Sequence, residues 1–294
     1  MLSAIIYNGN KIKKKSNIMK IKLELITPEI AKMYLKSNNQ NRKLRPGYLA
    51  RYIDDMSNGR WMEGTSETIK ISKKGNVLDG QHRFRAIIAT GISIECVVAY
   101  DLDEEIFKVL DTGALRSASD IFGIAKIKYS SQMPAIIAKY NAFSKSIIGN
   151  TERTIGIKPS NNQLMEIYTS NEEMWLDIVR ASERWYEAFN KIITVKLIGG
   201  FYAAIKDSNR SESFMNELCT GENITNPIIK VLRQKLLQDR LSTKKIPSSL
   251  KEAYLIKSWN MYAKNINVSL LKFDYEREEY PKIYINPQEL IQWK

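Results

Sequence analysis

The chain has 294 residues, with 45 Lys+Arg against 32 Asp+Glu, a single His, a formal net charge of +13, 44% hydrophobic and 26% charged residues. That balance belongs to a chain that buries one large core or two modest ones, and it excludes a disordered chain of low hydrophobicity. Two cysteines and one His exclude a disulfide framework and a four-ligand structural zinc, and the lack of an apolar run of about 18 residues argues against a transmembrane helix.

The apolar start, Met1 to Tyr7, is followed by lysines, the reverse of a secretory signal, so a cytoplasmic protein is expected (host cytoplasm if phage-encoded). Residues 1–19 read as a basic leader. Ile21, Leu23 and Leu25 alternate with Lys22, Glu24 and Ile26, which predicts a strand. Thr27-Pro28-Glu29 starts a helix, with Thr as N-cap and Pro at the first helical position. After the polar stretch from Ser37 to Arg45, a second helix runs from Pro46 to Asn58-Gly59. Glu67 to Ser72 alternates, Lys73 to Asn76 turns, and Val77-Leu78-Asp79 returns as a short strand. Phe84 to Thr90 is helical, stopped at Gly91, and Ile92 to Tyr100 is a strand whose apolar face includes Cys96, a core thiol rather than a reactive one.

From about residue 103 the pattern is helical. Glu104 to Leu110 and Ser117 to Phe122 are short helices. Longer ones follow, with breaks expected near Gly149, Pro159, Ser170, Gly199-Gly200, Ser208, Gly221 and Pro247. Ser249 and Glu252 are spaced as a capping box. The expected fold class is α+β: a lobe over residues 20–125 with a small mixed sheet and helices, then an α-helical lobe over 126–294.

The charge is clustered. Residues 1–22 hold six lysines and no acid, and residues 228–272 hold ten basic residues against two acids. Such clustering suits a polyanion, and equally suits a solubilising tail with solvated helix faces. Within the second segment Ile229, Leu232 and Leu236 make one helical stripe and Arg233 and Arg240 another face. Lys244 and Lys245 follow, and Lys257 and Lys264 share a face of the next helix. These six cations are the candidate nucleic-acid contacts, with DNA the partner considered and with weak sequence preference expected.

The sharpest feature is Asp79-Gly80-Gln81-His82-Arg83, where a strand ends and a helix begins at once. Gly80 permits a tight turn and close backbone approach of a ligand. The first-turn amides of the helix lack intrahelical partners, the dipole adds positive charge, and His82 and Arg83 add donors. The arrangement suits an anion, phosphate above all. The chain's one His lies inside this pentapeptide.

These five residues resemble the DGQHR motif of the ParB/sulfiredoxin-like superfamily, in the branch found in phage, plasmid and DNA-modification or restriction proteins. Asn41-Arg42, Arg45, Tyr52, Asp55-Met56, Gly59, Trp61 and Glu67 upstream, and Asp111-Thr112-Gly113 and Arg116-Ser117-Ala118 downstream, are similar to that branch's flanking elements. The likeness covers roughly residues 20–123. It implies nucleotide binding at the strand–turn–helix, since the superfamily includes ATP-using sulfiredoxins, CTP-binding ParB proteins, an ADP-dependent serine kinase and NTP-hydrolysing restriction subunits. Gln81 stands where sulfiredoxin has its nucleophilic Cys, which argues against sulfinate reduction. Gln81-His82 stands where ParB has Glu-Arg, so a preference for CTP does not carry over.

The expected function is therefore NTP binding, of the ATP or CTP type, with hydrolysis or phosphoryl transfer in phage or mobile-element DNA metabolism or defence conflict. Whether the chain is an enzyme, an NTPase or phosphotransferase, is left open. A non-enzymatic ParB-like DNA-binding protein switched by nucleotide and a ParB-like nuclease are the alternatives, and a homodimer is an expected assembly. In the nucleotide reading Gly80 and the Gln81 and His82 amides cradle a phosphate and Arg83 binds its oxygens. His82 donates or acts as acid/base, and Asp79 holds Mg²⁺ or orients water with Glu67 as second carboxylate. Arg42 and Arg45 close on the outer phosphates, and Asp111, Thr112 and Arg116 form the opposite wall. For the outer residues a plainer account stands beside this one. Asp111-Thr112-Gly113 also reads as a helix-ending turn, and Arg42 as a partner of Asp54 or Asp55.

Overall fold

The structure is a computed structural model that describes residues 19–36, 44–65, 67–105, 116–145, 158–243 and 245–285. The chain divides into two compact units, Met1–Ala114 and Leu115–Lys294. The architecture is α+β: a four-stranded mixed sheet with three helices in the first unit, and eight helices in the second, among the described residues. No helix among them is long and apolar enough to cross a membrane.

In the N-terminal unit the order is β1 (Lys20–Ile26), α1 (Pro28–Lys36), α2 (Pro46–Ser57), β2 (Ile69–Ser72), β3 (Val77–Asp79), α3 (Gln81–Thr90) and β4 (Ile94–Leu102). Thr27 Oγ1 accepts from the Ile30 amide at 3.3 Å, so the expected Thr-Pro start of α1 is formed. The sheet order is β1-β4-β2-β3. β2 and β3 form an antiparallel hairpin, α3 carries the chain over to β4 parallel to β2, and β1 closes the other side antiparallel to β4.

Period-two alternation then assigns the faces. Ile26, Ile69, Ile71, Val77, Ile94, Cys96 and Val98 pack in one core with Ala31 of α1, Met56 of α2 and Phe84 and Ile87 of α3. Tyr34 of α1 stacks on Phe84 at 5.3 Å between ring centroids. Cys96 is buried there, as expected, and burial pushes its thiol pKa up. On the opposite face Leu78, Ala99 and Leu102 form a small separate cluster.

The C-terminal unit comprises α4 (Ala118–Ile124), α5 (Met133–Ser144), α6 (Asn161–Ser170), α7 (Glu172–Ala188), α8 (Val195–Ile205), α9 (Ser211–Thr220), α10 (Pro227–Leu241) and α11 (Ser248–Ala263). Its main core is aromatic. Phe214 meets Trp259 and Tyr262 edge-on at 5.4 and 5.2 Å, and Trp185 meets Tyr202 at 4.8 Å. Ile229, Leu232 and Leu236, the expected stripe of α10, are fully buried in it.

Two local expectations are corrected. Gly199-Gly200 is no break: both lie inside α8. A Cβ on Gly199 would meet Ser182 Oγ at 2.7 Å, and one on Gly200 would meet Lys139 at 2.6 Å, so the pair lets α8 press against α7 and α5. The Ser249–Glu252 capping box is also absent. Pro247 is the N-cap of α11 and makes no side-chain cap. Glu252 instead accepts from Lys139 Nζ at 2.7 Å, and Ser249 Oγ bonds the Tyr275 hydroxyl at 2.9 Å. A capping box does form at Ser117 and Asp120, heading α4.

Candidate anion-binding site

β3 ends at Asp79, Gly80 turns, and α3 starts at Gln81. Gly80 is the N-cap of α3 with φ +111° and no side chain to cap the first turn. A Cβ there would sit 3.0 Å from Ile69 Cγ1 of β2. The turn therefore needs glycine twice over, for its left-handed backbone and for the close approach of the neighbouring strand. The motif read from the sequence is thus a strand–turn–helix whose helix begins three residues earlier than the apolar pattern from Phe84 suggested.

Two groups of side chains lie around this turn. The inner one is charged and centred on a buried arginine. Arg83 is only 8% exposed. Its guanidinium donates to the main-chain carbonyl of Glu67, and to that of Thr68 at 3.2 Å. Asp79 Oδ2 lies 3.9 Å from Arg83 Nη2 and 3.1 Å from Lys70 Nζ. Tyr52 of α2 stands in the same field. Burial pushes its phenol pKa up, the Arg83 cation opposes the rise, and the Asp79 and Glu67 carboxylates add to it. Arg83, expected to hold phosphate oxygens, thus directs two of its donors to the segment leading into β2. The Glu67 side chain is exposed, and its carbonyl is the group Arg83 uses.

The outer group is built on His82, which is half-buried. Its Nε2 accepts from the Arg45 backbone amide at 3.1 Å. Arg45 is the N-cap residue of α2, and Pro46 follows at its first position. The amino ends of α2 and α3 are therefore neighbours, and their dipoles add positive potential at one place. Tyr48 lies one turn into α2 with its ring centroid 6.3 Å from that of His82. The Arg45 and Arg51 guanidiniums lie 5.7 and 4.3 Å from the Tyr48 ring centroid. Arg45 and Tyr48 are exposed, and Arg51 is half-buried. Two cations, an exposed ring, an imidazole and two helix amino ends thus lie close together, an arrangement suited to an anion bearing a flat ring.

Of the expected site residues, Asp79, Gly80, Gln81, His82, Arg83, Glu67 and Arg45 come together. Arg42, Asp111 and Thr112 lie outside the described residues. Arg116 belongs to the C-terminal unit, at the head of α4. Tyr48, Arg51 and Lys70 were missed. The signal for the first two was the i, i+3, i+6 spacing of Arg45, Tyr48 and Arg51, which puts three phosphate-compatible groups on one helix face. Asp79 is paired with Lys70, and no cluster of three metal-ligating side chains occurs among the described residues.

Three of the candidate nucleic-acid cations, Arg233, Arg240 and Lys245, serve the ends of helices. Arg233 donates to the Leu218 carbonyl in the last turn of α9 and lies 4.8 Å from the Phe189 ring centroid. Arg240 donates to the Asn190 carbonyl just beyond α7. Lys245 Nζ reaches the Asp239 and Arg240 carbonyls at 3.0 and 2.7 Å, in the last turn of α10. Arg210 does the same for α11, donating to the Ala263 carbonyl at 3.1 Å. Helix carboxyl ends leave carbonyls without partners and carry partial negative charge, and these cations satisfy both. Lys257 Nζ is 2.6 Å from both the Lys272 carbonyl and Glu278, and Lys264 lies 4.5 Å from the Tyr284 ring centroid. Lys244 lies outside the described residues.

Comparison with models of known protein families and with curated protein sequences finds no match to this chain.

Proposed function

We propose that this chain is a nucleotide-binding protein of the ParB/sulfiredoxin-like type that takes an NTP at the head of α3 and hydrolyses it or transfers its phosphate. The observation that carries the reading is the hydrogen bond from the Arg45 amide to His82 Nε2, because it brings two helix amino ends and their cations together. In this reading the first-turn amides of α3 hold a phosphate against Gly80, Arg45 and Arg51 neutralise the outer phosphates, and the Tyr48 ring stacks on the base. Arg83 is a positioning residue that fixes the segment leading into β2. His82 remains the candidate proton carrier. Any Mg²⁺ would arrive on the phosphates themselves, where it would neutralise their charge.

The test is titration of fluorescent ATP and CTP analogues against wild type and the Arg45→Ala/Arg51→Ala variant, whose side chains are not core. Wild type binds one of them, and the variant binds at least about tenfold more weakly, since two charge-assisted contacts are lost. A wild-type protein that binds neither at millimolar concentration ends the reading. Phosphate release, measured with and without duplex DNA, then separates turnover from a nucleotide switch.

A further inference from the structure

Strand β1 lies at one end of the sheet and is hydrogen-bonded on one side only, to β4, among the described residues. Its pairing with β4 is unbroken over all seven residues, from Lys20↔Tyr100 to Ile26↔Ile94. Ile21, Leu23 and Leu25 stand in a row on the face away from the helices and are 58, 59 and 57% exposed. Natural edge strands are usually blunted by a bulge, a proline or an inward charge, and β1 has no bulge and no proline. The charges of its other row, Lys22 and Glu24, are engaged within the sheet. Glu24 accepts from the Tyr100 hydroxyl at 2.6 Å, and Lys22 Nζ lies 5.9 Å from the Tyr100 ring centroid.

Within β1 the central stretch Ile21-Lys22-Leu23-Glu24-Leu25 is self-complementary about Leu23. We propose that β1 pairs antiparallel with β1 of a second copy, on a twofold axis through Leu23, to make one continuous sheet from the two four-stranded ones. In that register Leu23 meets the partner's Leu23, Ile21 meets the partner's Leu25, and Lys22 meets the partner's Glu24 on both sides of the axis. Neighbouring registers fail on simple grounds. Centring on Lys22 opposes two lysines, and centring on Glu24 opposes two carboxylates. A shift by one residue sets the leucine row against the charged row. An isologous contact needs one surface that complements itself, and this strand has one. The contact supplies main-chain hydrogen bonds to the open edge, apolar cross-strand pairs, and two opposite-charge pairs.

The experiment is sedimentation velocity on the full chain over a range of micromolar concentrations. Wild type, Leu23→Lys, Lys22→Glu and the charge-swapped Lys22→Glu/Glu24→Lys variant are compared, with circular dichroism to confirm folding. Wild type dimerises. Leu23→Lys and Lys22→Glu weaken the dimer at least about tenfold, and the swapped pair recovers part of the loss relative to Lys22→Glu. Leu23→Cys forms a covalent dimer on mild oxidation, because the introduced thiol of each copy faces that of the other across the axis, while Cys96 and Cys219 are buried. A monomeric wild type overturns the proposal. So does a dimer that Leu23→Lys leaves intact.

Discussion

The Arg45 amide donates to His82 Nε2 at 3.1 Å, so the acceptor nitrogen of the only imidazole in the chain is fixed by the backbone at the head of another helix. When the ring is neutral its proton must then sit on Nδ1. A long-range ¹H–¹⁵N spectrum has a single imidazole to report. In alkaline buffer it is expected to show the Nδ1–H tautomer, and an Nε2–H pattern would contradict the contact.

Gly80 combines φ +111° with a 3.0 Å approach of Ile69 to the place a Cβ would take. Gly80→Ala is expected to cost about 1–3 kcal/mol. Urea denaturation checks it, and a midpoint indistinguishable from wild type would show that the turn relaxes freely.

Arg83 and Arg45 are separated by what their side chains hold. Arg83 is buried on the Glu67 and Thr68 carbonyls, and Lys cannot span both. Arg83→Lys should destabilise by about 1–3 kcal/mol, and Arg45→Ala by less than about 0.5 kcal/mol. The reverse order in thermal melts would refute the division into positioning and binding arginines.

Asp239 is buried at the end of α10, where burial alone would raise its pKa. The Lys251 ammonium and the Ile246 amide outweigh that effect and hold it below the usual carboxylate range. A depressed pKa contributes stability that is complete above the unfolded value of about 3.9 and is lost as pH falls through the folded value. Asp239→Asn should therefore lower stability at neutral pH by about 3 kcal/mol, since it strands Lys251. It should also flatten the acid limb of a melting-temperature profile. An unchanged acid limb would place the loss elsewhere.

Cys96 and Cys219 are both buried, and burial pushes their thiols up, Cys219 to about 12. Neither is expected to react with a disulfide reagent at neutral pH until the protein unfolds, whereupon both thiols of the chain appear. Rapid labelling of the native protein would disprove this burial.

Much of the N-terminal unit was legible because its signals are local. The alternation from Ile21 to Ile26, the Thr27-Pro28 helix start and the Lys73–Asn76 turn each depend on residues a few positions apart, and all are formed. So is the strand–turn–helix at Asp79 to Arg83, because a left-handed glycine between a short strand and a helix is a backbone statement. Partners across space were not legible. Arg83 looked like a phosphate ligand and lies on two carbonyls. Gly199-Gly200 looked like a break and is the close contact of α8 with α5 and α7. The basic residues of 228–272 looked like one charged face, yet several of them serve the carboxyl ends of different helices.

What the sequence by itself determined was where backbone direction changes and which rows of side chains are apolar, because those follow from pleat, helix period and the allowed torsions of single residues. Which cation neutralises which carbonyl, and which rows find cover, was decided only by the tertiary structure. A long charged side chain reaches any unsatisfied acceptor within its length, and packing alone determines which acceptors those are.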